Sequence, residues 1–260
     1  MTASPSVAPR CFLTGASSGI GAALARHYAA AGATLGLVAR RRERLEALAA
    51  TLPGRHACYP LDVADACAMT AAAAEFMAGG VPDIVIANAG ISVGTLGHEA
   101  DDMAAVRRVF ETNVTGMAQT FQPFIAAMKA RGGGRLVGIA SVAGIRGLPG
   151  AGAYSASKAA TIAYLEALRV ELRGSGIRVV TIAPGYIATP MTAVNRYPMP
   201  FLMPADEAAR RFARAIERGT SYTVIPWQMG VAAKLMRLLP NPLFDRLFAR
   251  AGRKPRGLDL

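Results

Sequence analysis

The chain has 260 residues, 52% hydrophobic and 18% charged; this supports a substantial core in one large or two small domains and excludes a disordered chain. Three cysteines (Cys11, Cys58, Cys67) cannot all pair and none has metal-ligand spacing, so reduced thiols in a cytoplasmic protein are expected rather than a disulfide framework. The net charge of +12 comes from 25 Arg and 4 Lys spread over most helical stretches without aromatic interleaving, so no nucleic-acid platform is expected.

Residues 1–10 show no apolar leader, so no signal peptide is expected. Short β-branched runs at 11–14, 34–39, 56–61, 84–87, 135–140, 178–183 and 222–225 read as strands. Helical stretches at 20–31, 41–52, 64–77, 101–130, 153–173 and 205–218 separate them. Repeated strand-then-helix spacing predicts right-handed crossovers and a mostly parallel, doubly covered α/β sheet. Gly132-Gly133-Gly134 reads as a tight helix-to-strand turn. The uncharged stretches 112–128 and 179–195 contain Asn, Gln, Gly or Pro, so neither reads as a membrane span.

The first strand-to-helix turn is Thr14-Gly15-Ala16-Ser17-Ser18-Gly19-Ile20-Gly21. Glycines there permit close backbone approach to a pyrophosphate, and the helix N-terminus favours negative charge. The spacing is Gly-x-x-x-Gly-x-Gly, so its position between strand and helix carries the dinucleotide reading. At the end of the second strand, Ala39 stands where a carboxylate would select NAD, and Arg40 follows. Arg40, supported by Arg41, suits a 2′-phosphate, so NADP(H) is the expected cofactor. Arg42 and Arg44 read as a solvated helix face.

Tyr154 and Lys158 stand four apart on a predicted helix and so share a face. A lysine cation there is expected to pull the phenol pKa down, making a proton donor suited to a carbonyl–alcohol reaction. The three histidines (His27, His56, His98) have no metal or triad spacing, and no metal is expected.

Together these pieces resemble the short-chain dehydrogenase/reductase family over nearly all of residues 9–226. The matching residues are the 14–21 turn, Asp62-Val63, Asn88-Ala89-Gly90, Asn113, Ser141, Tyr154-Ser-Ala-Ser-Lys158 and Pro184-Gly185, with Ser141 thirteen positions before Tyr154. The resemblance implies a Rossmann-type doubly wound sheet of seven strands, ordered 3-2-1-4-5-6-7. It implies a catalytic tetrad of Asn113, Ser141, Tyr154 and Lys158, with Asn113 positioning a water next to Lys158. It places Asp62 and Val63 at the adenine, Asn88, Ala89 and Gly90 along the cofactor, and Ile187 and Thr189 at the carboxamide after Pro184-Gly185. It also implies a homodimer or homotetramer built on the helices carrying Asn113 and Tyr154.

The loops at the strand ends are apolar: Ile91, Val93 and Leu96; Val142, Ile145 and Leu148; and 186–203. Ser141, Ile145, Tyr154 and Tyr186 are the candidate substrate contacts, and a hydrophobic ketone, aldehyde or secondary alcohol is the expected substrate. Phe201 and Leu202 either face that substrate or pack on the next helix. Residues 1–226 form the expected domain, with 227–260 as an apolar, basic extension carrying seven basic and two acidic side chains. Packing, a lid or a subunit contact is preferred for it over a membrane contact. Three functions stay open: an NADP(H)-dependent carbonyl reductase, an oxidative hydroxy-lipid or hydroxysteroid-type dehydrogenase, and a non-catalytic NADPH-sensing protein.

Overall fold

A computed structural model describes residues 9–249 and 251–257. The expected absence of a leader concerns residues 1–10, of which 1–8 lie outside the described residues, as do 250 and 258–260 of the extension.

Seven strands form one parallel sheet: β1 (Arg10–Thr14), β2 (Thr34–Ala39), β3 (Ala57–Pro60), β4 (Ile84–Ala87), β5 (Gly134–Ile139), β6 (Ile177–Pro184) and β7 (Tyr222–Ile225). Their order is β3-β2-β1-β4-β5-β6-β7, as the family resemblance implies. The order reverses between β1 and β4, and that is where a doubly wound sheet opens its crevice.

Strand alternation sends successive side chains to opposite faces, and helices cover both. Cys11 and Leu13 of β1 face a core that includes Leu24 of α1 (Gly19–Ala30), Leu45 of α2 (Arg42–Thr51) and Phe212 of α8 (Ala205–Arg218). Phe12 between them faces Phe76 of α3 (Ala66–Ala78), Phe124 of α5 (Gly116–Arg131) and Leu165 of α6 (Gly152–Glu171). Its ring lies 4.8 Å from that of Phe124. Gly132 ends α5 with φ +87°, the left-handed cap that favours glycine.

The stretch predicted as one helix over 101–130 is not uniform. α4 (Met103–Phe110) and α5 are joined by a π-turn over Glu111–Thr115, in which the Gly116 N–H reaches back five residues to the Glu111 carbonyl. The wide turn falls where Gly116 meets Val63; a Cβ there would lie 2.6 Å from Val63 Cγ2. Such turns re-aim side chains within a helix, and this one carries Thr112 and Asn113.

After β6, a short helix α7 (Pro190–Ala193) and a two-residue parallel pairing of Ile187–Ala188 with Met203–Pro204 shape the longest loop. The extension forms α9 (Trp227–Leu238) and α10 (Asn241–Phe248). No helix among the described residues is long and apolar enough to cross a membrane.

Candidate active site

The turn after β1 is built on glycine geometry. Gly15 has φ +67°, and a Cβ on Gly21 would stand 2.1 Å from the Gly15 carbonyl oxygen, so neither position accepts a side chain. Thr14 Oγ1 accepts the Asn88 and Ala89 amides at 3.1 and 3.2 Å. The Asn88 amide group donates to the Thr14 and Gly15 carbonyls at 3.0 and 3.2 Å, tying β4 to the turn. Ser18 starts α1 without a side-chain cap, and the first turn holds no acid. First-turn N–H groups of that kind suit a phosphate.

One cleft is lined by all the cofactor positions expected from the sequence. Gly15, Ser17, Ser18, Gly19, Ile20, Arg40, Arg41, Asp62, Val63, Asn88, Ala89, Gly90, Pro184, Gly185, Ile187 and Thr189 line it, together with Ser141, Tyr154 and Lys158. Ile145 and Tyr186 are not among its lining residues; the Tyr186 ring lies 6.3 Å from Tyr197 instead. Asn113 is fully buried behind it.

Arg40 and Arg41 are exposed at the end of β2, and the Arg41 guanidinium reaches Ser17 Oγ at 3.4 Å. Desolvation, then the like charges of Arg44 and Arg40, lowers the Arg41 pKa, marking a local excess of positive charge. Arg42 is drawn off by Glu46 at 3.1 Å. Asp62 accepts the Ala64 amide at 2.9 Å and pairs with Arg108 of α4. Burial pushes its carboxyl up, but the Ala64 amide, Arg108 and Arg40 together hold it below its usual range. Arg108 escaped the sequence reading because nothing local links it to Asp62.

Asn113 uses both amide protons and one lone pair of its amide oxygen on protein partners. Its Oδ1 accepts the Ile91 amide at 2.8 Å, and its Nδ2 donates to the Ile91 carbonyl and Ser157 Oγ, both at 3.0 Å. Ser157 Oγ in turn donates to the Tyr154 carbonyl at 2.8 Å. Ser155 Oγ accepts the Leu148 amide at 3.2 Å, so both serines serve packing. Ser141 Oγ caps the turn Val142–Gly144 by accepting the Ala143 amide at 3.1 Å. That bond uses an oxygen lone pair and leaves the hydroxyl proton available to an acceptor.

The expected lowering of the Tyr154 phenol by Lys158 does not occur. Burial pushes the phenol up, offset in part by the Ser141 hydroxyl. Lys158 Nζ lies 5.8 Å from the Tyr154 ring centroid and donates to the Ile139 carbonyl at 2.8 Å. Burial also brings the Lys158 pKa from 10.5 down to about 8. Desolvation drives both groups toward their neutral forms.

The described end of the chain forms a strap over the loops at the strand ends. The Pro255 carbonyl accepts the Gly94 amide at 2.9 Å, and Lys254 Nζ donates to the Met191 carbonyl at 3.1 Å. Arg256 holds Asp102 at 3.0 Å and Glu99 at 3.7 Å. Gly150 lies under Arg253 and Gly252 against Tyr197. The strap therefore touches the loops after β4, β5 and β6, and Met191 lines the cleft itself. No motif announced these contacts. Phe201 and Leu202 are 54% and 46% exposed, so neither is packed away under α8.

A family model described as short chain dehydrogenase matches residues 10–199. A protein of Myxococcus xanthus described as an uncharacterized oxidoreductase is 42% identical over 238 residues, covering 90% of this chain and 93% of its own. A galactitol 2-dehydrogenase (L-tagatose-forming) of Cereibacter sphaeroides is 42% identical over 187 residues, covering 71% of this chain and 73% of its own. In fold, the chain is similar to the crystal structure of a 3-ketoacyl-(acyl-carrier-protein) reductase from Brucella melitensis complexed with NADH. The TM-score is 0.78 at 24% identity, covering 84% of this chain and 96% of the other.

Proposed function

The chain belongs to the short-chain dehydrogenase family, and from that premise we propose an NADP(H)-dependent oxidoreductase acting on an apolar ketone, aldehyde or secondary alcohol. The observation that carries this reading is that Ser141, Tyr154 and Lys158 line the same cleft as the glycine turn and the Arg40–Arg41 pair. The residues present fit a dinucleotide. A side chain at Gly15 or Gly21 would collide with backbone, and the uncapped start of α1 offers its amides to phosphate.

A bound nicotinamide supplies or accepts the hydride. In the reductive direction, the Ser141 hydroxyl donates to the substrate oxygen and Tyr154 gives its phenolic proton to the developing alkoxide. The raised pKa of Tyr154 suits the protonated donor form that this direction requires. Lys158 stabilises the phenolate left behind. Asn113 acts as a positioning residue: with both amide protons spent on Ile91 and Ser157, its side chain holds the loop and helix around Tyr154. Arg40, with Arg41, receives the 2′-phosphate; among the described residues neither guanidinium is in an ion pair.

The apolar loops after β4, β5 and β6 support a hydrophobic substrate. Exposed Met103, Phe110 and Val170 on α4 and α6 support assembly with further copies through those helices. The test is NADPH and NADH consumption across a panel of hydrophobic ketones and aldehydes. NADPH-dependent turnover of at least one is expected; tight NADPH binding with no turnover would replace this reading with an NADPH sensor.

A further inference from the structure

α9 inverts the usual arrangement of a surface helix. Its buried residues are Met229, Gly230 and Ala233, and Gly230 sits so close to β7 that a Cβ there would stand 3.0 Å from Val224 Cβ. Its larger apolar side chains point outward: Trp227 is 67%, Leu235 60% and Leu238 79% exposed, with Val231 beside them. Positions 227, 231, 235 and 238 follow helical spacing and share one face. On α10, Leu243 and Leu247 are also exposed. A contiguous apolar face of this kind marks an interaction surface rather than ordinary scatter.

The charges beside this face have one sign on α9. Lys234 and Arg237 are exposed, α9 contains no acid, and neither cation is in an ion pair among the described residues. We propose that this face of α9 lies on an anionic lipid surface, with Trp227, Leu235 and Leu238 in the acyl–headgroup boundary and the cations at the headgroups. A two-fold contact with a second copy would set Lys234 and Arg237 against themselves, which opposes that occupant. The helix lies on the bilayer and does not cross it: its 12 residues span about 18 Å, short of a hydrocarbon core of about 30 Å.

The face is fixed to the loop that bears Ser141. The Arg146 guanidinium donates to the Leu239 carbonyl at 2.7 Å and Asn241 Oδ1 at 3.1 Å, and lies 3.8 Å over the Phe244 ring. Lipid contact would thus hold the apolar loops close to a reservoir of apolar compounds. This inference goes beyond the proposed reaction and does not depend on it.

Trp227 is the only tryptophan of the chain, so its fluorescence reports on the proposed contact directly. The full chain is mixed with phosphatidylcholine vesicles, with and without phosphatidylglycerol. The expected result is co-flotation and a blue-shifted emission on the anionic vesicles, with binding weakened about tenfold or more by high salt. Leu235→Glu with Leu238→Glu is expected to abolish both signals at unchanged melting temperature, since both side chains are exposed. Lys234→Glu with Arg237→Glu is expected to remove the preference for anionic lipid. Absence of flotation and shift in the unaltered protein overturns the proposal, as does flotation that survives the leucine changes. A blue shift that grows with protein concentration without lipid, with a dimer in light scattering lost in the leucine variant, assigns the face to a second copy instead.

Discussion

Lys158 Nζ donates to the Ile139 carbonyl at 2.8 Å while standing 5.8 Å from the Tyr154 ring centroid. The cation is anchored to the end of β5, and its burial sets its pKa near 8. In the proposed role, the ammonium is lost as pH rises through about 8, so turnover is expected to fall above that pH. Lys158→Met should lack this alkaline limb. The stability sign is opposite. Between about 8 and the ordinary 10.5 the unfolded chain keeps a proton that the folded chain has released. Stability from this group therefore rises across that window and is lowest below it. Urea denaturation on either side of the window, with and without Lys158, checks the sign.

Tyr154→Phe removes the only phenol that lines the cleft among the described residues. Turnover should drop by at least about a hundredfold, the scale of a lost general acid, while NADPH affinity measured by fluorescence titration changes by less than about threefold. Near-normal activity in this variant would falsify the proton-transfer assignment.

Arg40→Asp places a carboxylate where the proposed 2′-phosphate lies. A lost charge-assisted hydrogen bond is worth about 1.5–3 kcal/mol, so KM for NADPH should rise about ten- to a hundredfold. KM for NADH should rise far less. Equal changes for both cofactors would remove Arg40 from that role.

Asn113→Ala leaves the Ile91 amide and carbonyl without their partner, while Ser157 Oγ keeps its bond to the Tyr154 carbonyl. Orphaned buried groups cost about 1–3 kcal/mol each, with partial relaxation, so a loss of about 2–4 kcal/mol is expected in urea denaturation. Asn113→Asp should recover only the Ile91 amide bond. An Asn113→Ala protein as stable as its parent would show that the clamp contributes nothing.

Arg256→Ala cuts the strap from Asp102 and Glu99. Asp102 also accepts the Leu96 amide at 2.7 Å, which with Arg256 holds its carboxyl below the usual range. The Gly94 amide, bonded to the Pro255 carbonyl, should then exchange its hydrogen about tenfold faster or more. KM for the carbonyl compound should change while KM for NADPH does not. Unchanged exchange at Gly94 would show that the strap holds without Arg256.

The mostly parallel, doubly covered sheet and the glycine turn were legible in the sequence because both rest on local rules, whereas the strand order followed from the family resemblance. β-Branched runs of four to six residues, Ala-rich helices between them and glycines at one fixed turn state the α/β class without any long-range information. Tyr154 could be named from its four-residue spacing to Lys158, and Asp62 and Asn88 from the family resemblance. Which atoms they touch was decided by tertiary structure. Asp62 meets Arg108 across 46 residues and Asp102 meets Arg256 across 154; no pattern along the chain encodes such pairs. The π-turn at Glu111–Thr115 turned a predicted plain helix into the mount for Asn113, whose amide then closed on Ile91 and Ser157. Sequence spacing put Tyr154 and Lys158 on one helix face. Only the packed fold decided that desolvation, rather than their mutual attraction, governs how each holds its proton, because burial depends on everything that surrounds the pair.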